Sequence, residues 1–184
     1  MQYAELLDAA KRNPETVDFK ELRISYAQSV EYNPYNLCID TYKSIAKVIH
    51  EKDSEIAIKE IDRLLEKCYL DIDAHAISSS ICKKMGNEAE SLYHLKFVKG
   101  ILNSILQSDD GRSYETALTV ISIQEEHAVL RSLGIKPTNH SLEEHDGHQF
   151  DVFDFYDPET GQVAKIYFNI DFPKGWLDRS LHKT

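Results

Sequence analysis

Seven glycines and five prolines in 184 residues leave too little of either for a long flexible linker. Apolar runs are short as well: none reaches the roughly 20 residues that a bilayer-spanning helix needs. The first residues, Met1-Gln2-Tyr3-Ala4-Glu5-Leu6, carry neither a basic leader nor a secretory apolar stretch, so the expectation is a cytoplasmic protein. Cysteine is scarce and odd in number, with Cys38, Cys68 and Cys82 lacking clustered spacing; three small buried thiols in a reducing compartment account for them. Basic residues are outnumbered, 21 Lys and Arg against 31 Asp and Glu, for a formal charge of −10. Such a field repels nucleic acid and anionic membranes and favours encounter with a basic partner. Gly-x-Ser-x-Gly elbows and Gly-rich phosphate loops are missing too, so catalysis has no positive signal.

What is present is helical periodicity. The turn Glu51-Lys52-Asp53 precedes a helical run from Ser54, and Met85-Gly86-Asn87 precedes another from Glu88, 34 residues later. Overlaying the two pairs Ala57 with Ser91, Ile58 with Leu92, Ile61 with Leu95 and Leu64 with Val98. Thirty-four residues is the tetratricopeptide spacing, in which stacked helix pairs expose a groove for a protein or peptide. Further helices are expected over 2–12 (Leu6, Leu7 and Ala10 inward) and after Asp18 (Phe19, Leu22, Ile24, Tyr26 and Val30 apolar). Others are expected over 35–50 behind Asn33-Pro34, and over 74–85 with Asp73 as cap and Gly86 as terminator.

Beyond Gly111 the period changes. Residues 117–121 are β-branched and apolar, a strand pattern; 124–133 return to helix, stopped by Gly134. Asp146-Gly147 is the commonest two-residue hairpin signal, and 163–172 alternate as a half-buried strand. The expected fold class is α+β: tetratricopeptide-like helical hairpins over 1–107, then a small, mostly antiparallel β-sheet with one helix over 108–176. A tail is expected over 177–184. The sheet caps the open end of the repeats, because a repeat cannot bury its hydrophobic face alone.

Several of these signals together resemble a known pattern. Ser104-Ile105, Ser108-Asp109-Asp110-Gly111, Glu115-Thr116-Ala117, Val120-Ile121-Ser122, Glu125-Glu126, the helix end over 130–134, Asp146-Gly147 and Ile166-Tyr167-Phe168-Asn169 carry it. Upstream, Asp73-Ala74-His75, Gly86 and His94 fit as well. They resemble the bacterial domain of unknown function 4919 family, over roughly residues 19–176. The resemblance implies degenerate tetratricopeptide-like helices followed by a Ser-Gly-Asp-Gly type segment, and no established activity. Here that segment is Ser108-Asp109-Asp110-Gly111, without the first glycine, and His127 stands where a tyrosine follows the paired glutamates. Many members look exported, whereas this chain shows no leader.

The candidate binding residues are Tyr35, Tyr42, His75, His94, Asp110 and Glu126. Tyr35 and Tyr42, seven apart on one expected helix, form an aromatic stripe that could anchor a partner. His75 and His94 sit on facing helices and can approach each other, with Asp110 in the following loop able to order an imidazole. The bland reading of this set is a buried hydrogen-bond network. Weaker constellations are His145 with His148 across the hairpin turn, the Asp109-Asp110-Gly111 turn, and Cys68, His75 and Cys82 at seven-residue intervals. No catalytic residue, metal ligand or cofactor is expected. The expected function is a non-enzymatic protein-binding module with a protein or peptide partner, basic if the protein is an inhibitor or immunity protein. The alternatives are an enzyme centred on His75, His94 and Asp110, or an exported effector.

Overall fold

The computed structural model describes residues 2–35 and 54–181. Apart from Tyr35, the expected helix over 35–50, with Cys38 and Tyr42, therefore lies outside the described residues. The chain divides into two compact units that interleave in sequence: 1–22 with 36–101, and 23–35 with 102–184. Seven α-helices and a four-stranded mixed sheet among the described residues make the fold α+β.

The first unit holds α1 (Tyr3–Arg12), the start of α2 (Phe19–Ala27), α3 (Ser54–Lys67), α4 (Ile72–Lys84) and most of α5 (Glu88–Leu106). Asp18 begins α2 as expected, its Oδ1 accepting from the amides of Lys20 (2.7 Å) and Glu21 (3.1 Å). The cap of α4 is Asp71, not Asp73. The Asp71 carboxylate accepts from Ala74 N at 3.0 Å, while Asp73 already lies inside the first turn, where either acid suits the helix dipole. Gly86 closes α4 at φ +79°, with Gly86 N on the Lys83 carbonyl and Asn87 N on the Cys82 carbonyl, the two bonds of a Schellman end.

Ala57, Ile61, Leu64 and Leu65 form one stripe of α3 and pack with Ala74 and Ile81 of α4. Each Ile or Leu so buried contributes about 1.5–3 kcal/mol. Helices α3 and α5 do begin 34 residues apart. Their buried positions keep that offset only at Ala57 and Ser91; further along α5 the buried residues are His94, Phe97 and Ile101 instead of Leu95 and Val98. Leu92 is half exposed, and so is no counterpart of a core residue.

The second unit carries β1 (Leu118–Thr119), α6 (Ile123–Ser132), β2 (Pro137–His145), β3 (His148–Tyr156), β4 (Val163–Asn169) and α7 (Asp171–Leu181). Strand order is β1-β4-β3-β2, with β1 parallel to β4 and the other pairs antiparallel. Asp146 (φ +49°) and Gly147 (φ +80°) make the β2–β3 turn, both left-handed as a type I′ hairpin requires. Central β3 has apolar side chains on both faces. Phe150 and Val152 pack with Tyr114, Ala117 and Tyr167, and Phe153 meets Phe168 edge-on at 5.8 Å.

Gly111 ties the segment before β1 to the sheet through Tyr167 N on its carbonyl and its own N on the Thr116 carbonyl, both 2.8 Å. It sits at φ +69°, and a Cβ there would lie 3.1 Å from Leu118 Cγ, so geometry and space both demand glycine.

Three expectations need correction. The strand expected to run to Phe172 stops at Asn169, because Asp171 and Pro173 open α7. Residues 177–181, expected as tail, belong to that helix. Val30, expected inward, is fully exposed beyond the end of α2.

Candidate functional site

In the first unit the candidate histidines meet. His75 follows the Asp71 cap by one turn and is completely buried; His94 on α5 is buried too. Their Nδ1 atoms are 2.8 Å apart, and His75 Nε2 is 2.8 Å from the Tyr69 carbonyl. That carbonyl can only accept, which fixes the proton order: His75 Nε2–H donates to Tyr69, His75 Nδ1 accepts, and His94 Nδ1–H donates. His94 Nε2 remains, 3.5 Å from Glu90 Oε1.

Rings surround the pair. Phe97 stacks on His75 at 4.4 Å and 3°, and Tyr69 meets it edge-on at 5.2 Å. One turn further along the helix pair, Ser79 and Ser91 exchange hydroxyl-to-carbonyl bonds of 2.9 and 2.8 Å, holding α4 close to α5. Burial pushes the His75 imidazole down to about 3, aided by His94 and opposed by the Tyr69 hydrogen bond. Burial lowers His94 as well, against the raising effect of Glu90 and Asp62. The arrangement is a neutral pair with three of its four nitrogens already engaged within the protein.

The other candidates belong to the second unit. Asp110 orders no imidazole: it is exposed, and its Oδ1 accepts from Thr116 Oγ1 (2.7 Å) and Arg112 N (3.0 Å), hydrogen bonds that hold its pKa down. Glu126, on α6, is 1% exposed. Burial first, then the charge and hydrogen bond of Asp151 and the charge of Glu125, push it up to about 9. It is therefore a neutral acid at pH 7, donating to Asp151, with Oε1 lacking a partner among the described residues. Asp151 Oδ1 in turn lies 3.0 Å from His140 Nε2. The Tyr35 ring lies 5.8 Å from Trp176, its hydroxyl raised by burial and then by Asp151 and Glu126. Tyr42 lies outside the described residues.

The weaker constellations take local partners. His148 Nδ1 is 2.6 Å from Asp171 Oδ2, and the His145 ring stacks on Tyr114 at 4.3 Å. Neither Cys68 nor Cys82 is in a disulfide. Among the described residues, no group of three or more His, Cys, Asp and Glu is placed to hold a metal ion, and no helix is long and apolar enough to cross a membrane.

Two features were missed in the sequence. Arg23, 1% exposed, forms a bidentate pair with Glu125, Nε and Nη2 each 2.7 Å from a carboxylate oxygen. Its Nη2 also donates to the Thr119 carbonyl at 2.9 Å, and Glu125 accepts from Ile121 N at 2.8 Å. The available signal was spacing: Phe19, Leu22, Arg23 and Tyr26 share one helical face.

The second is a cleft of about 620 Å³ within this unit, a size suited to a small ligand or a short peptide segment. Tyr32, Phe172 and Trp176 give it aromatic walls; Ala27, Gln28, Ser29 and Val30 form one side, and Arg179 supplies a cation. Tyr32 is fixed by its hydroxyl on the Ile121 carbonyl (2.7 Å) and by Tyr26 edge-on at 5.4 Å. Phe172, Trp176 and Arg179 fall at i, i+4 and i+7 of α7, a stripe hidden by reading that segment as strand and tail.

The sequence profile of the family described as Domain of unknown function (DUF4919) matches residues 1–176, and the chain belongs to that family. Comparison with curated proteins and with solved structures finds no match.

Proposed function

We propose that this DUF4919 member is a non-enzymatic binding module whose partner is a protein or peptide, held at the cleft of the second unit. The observation that carries the reading is the union in one cleft of three aromatic rings, an arginine and the fully exposed Val30. Aromatic and arginine side chains dominate binding hot spots, the rings because they bury large areas at low entropic cost and arginine because its planar fork binds anions bidentately. The charge of −10 supports a basic partner, and in its narrower form the protein is an inhibitor or immunity protein for one. An exported effector would share the same binding chemistry at a different address.

The enzyme alternative around His75, His94 and Asp110 has less to support it. Three of the four imidazole nitrogens hold hydrogen bonds inside the first unit, and Asp110 serves its own turn. A substrate would have to displace those bonds to reach a proton.

Trp176 is the only tryptophan, so its emission reports on the cleft. Peptides enriched from a random displayed library against the immobilised protein are expected to shift Trp176 emission saturably. Failure to enrich any peptide, or enriched peptides that bind without moving that emission, would refute the cleft as the binding site.

A further inference from the structure

We infer that the cleft captures the free C-terminus of a basic peptide that ends in a bulky apolar residue, an inference that rests on the binding-module reading above. Among the described residues its lining contains one cation, Arg179, and no carboxylate. Among the described residues Arg179 forms no ion pair, in a chain that carries ten more acidic than basic side chains. Tyr32 offers only its ring, its hydroxyl being held by the Ile121 carbonyl. The cleft thus presents apolar walls and a guanidinium, which together fit an apolar group joined to an anion.

Spacing selects the kind of anion. Arg179 follows Trp176 by three residues, so their Cβ atoms are about 5–6 Å apart on one face of α7. An α-carboxylate lies at that range from its own residue's side chain, so one terminal residue can meet both. An internal Asp or Glu puts the anion on a residue other than the apolar one. The field of the whole chain sets the rest of the sequence: acidic peptides are repelled, and the α-carboxylate is the one anion that even a strongly basic peptide keeps.

The test is a set of titrations followed by Trp176 emission. The probe is an N-acetylated pentapeptide, Lys-Gly-Lys-Ser-Phe, as free acid and as C-terminal amide. The free acid is expected to bind at least tenfold more tightly than the amide. In Arg179→Gln, an exposed position whose substitution leaves the fold intact, the two forms should bind alike. An Asp-Gly-Asp-Ser-Phe free acid should bind several-fold more weakly than the basic peptide at low salt and converge with it at high salt. Equal affinity for acid and amide in the parent overturns the terminal-carboxylate inference while leaving peptide binding in place. So does an equal loss of both forms in Arg179→Gln, or 4-phenylbutyrate binding as tightly as the basic free acid. If neither these peptides nor any library peptide binds, the inference and the binding-module reading fall together.

Discussion

Each unit holds a pair of like titratable groups out of full contact with water, and the two pairs are opposite in kind. The first unit buries two bases, His75 and His94; the second packs the buried acid Glu126 against the half-buried acid Asp151, beside the buried Arg23–Glu125 salt bridge. Both like pairs are made tolerable by leaving one or both members uncharged, since a low-dielectric interior disfavours the ion and adjacent like charges add repulsion. The histidines discard a proton and the glutamate retains one. The same strategy therefore gives the two units stabilities that move oppositely with pH.

The largest effect should come from the ionised pair. Arg23→Ala leaves Glu125 as an uncompensated buried charge, and a loss of about 3–5 kcal/mol is expected. Denaturant unfolding checks this. A loss under ~1 kcal/mol would mean that Glu125 takes up a proton cheaply.

The pH dependence comes next. His75 has a folded pKa of about 3 against 6.5 unfolded, so the unfolded chain binds more protons in between. Its stabilisation is complete above pH 6.5 and declines as pH falls towards 3. Glu126 is the reverse: with about 9 folded against 4.5 unfolded, its contribution is complete below 4.5 and is lost as pH rises towards 9. Each slope approaches ~1.4 kcal/mol per pH unit where one state is protonated and the other is not. Hydrogen exchange read segment by segment at pH 5, 7 and 8.5 should show α4 and α5 weakening on the acid side, and α6 and β3 on the basic side. Glu126→Gln keeps the neutral shape and should abolish the basic-side slope alone; retention of that slope would assign it to another group.

His94→Ala should lower stability by on the order of 1–3 kcal/mol, by leaving His75 Nδ1 without its donor. A variant that melts like the parent would mean the pair is not structural, and would move weight to the enzyme reading. Smallest is Gly111→Ala, about 1–2 kcal/mol from forcing a left-handed alanine against Leu118, measurable in the same melts.

Legibility in the sequence followed the range of the interaction. The α3 stripe, the Gly86 and Gly134 helix ends and the Asp146-Gly147 hairpin are local signals, and the structure has each of them. The approach of His75 to His94 was legible because both lie on a single hairpin with a short turn. Its tautomer order was not, since that depends on the Tyr69 carbonyl. The second unit was harder to read. Alternation through Ile170 and Phe172 imitated a continuing strand, whereas Pro173 in the first turn of α7 was the contrary signal. That misreading hid the Phe172, Trp176 and Arg179 stripe. The partner of Arg23 is 102 residues away, and nothing in its neighbourhood points there beyond its place on a buried face.

That separation also has a meaning in time. A chain leaves the ribosome N-terminus first, at about 5–20 residues per second. Arg23 therefore emerges roughly 5–20 seconds before Glu125 exists to meet it. Through that interval residues 23–35 belong to a unit whose remaining portion, 102–184, is still being made, while 36–101 are already emerging. The guanidinium must stay hydrated, and α2 cannot settle its buried face along its full length, until Glu125 has emerged. The nascent protein thus carries a built-in delay: its second unit is completed only once residues 102–184 have emerged, around a guanidinium made 102 residues before its partner.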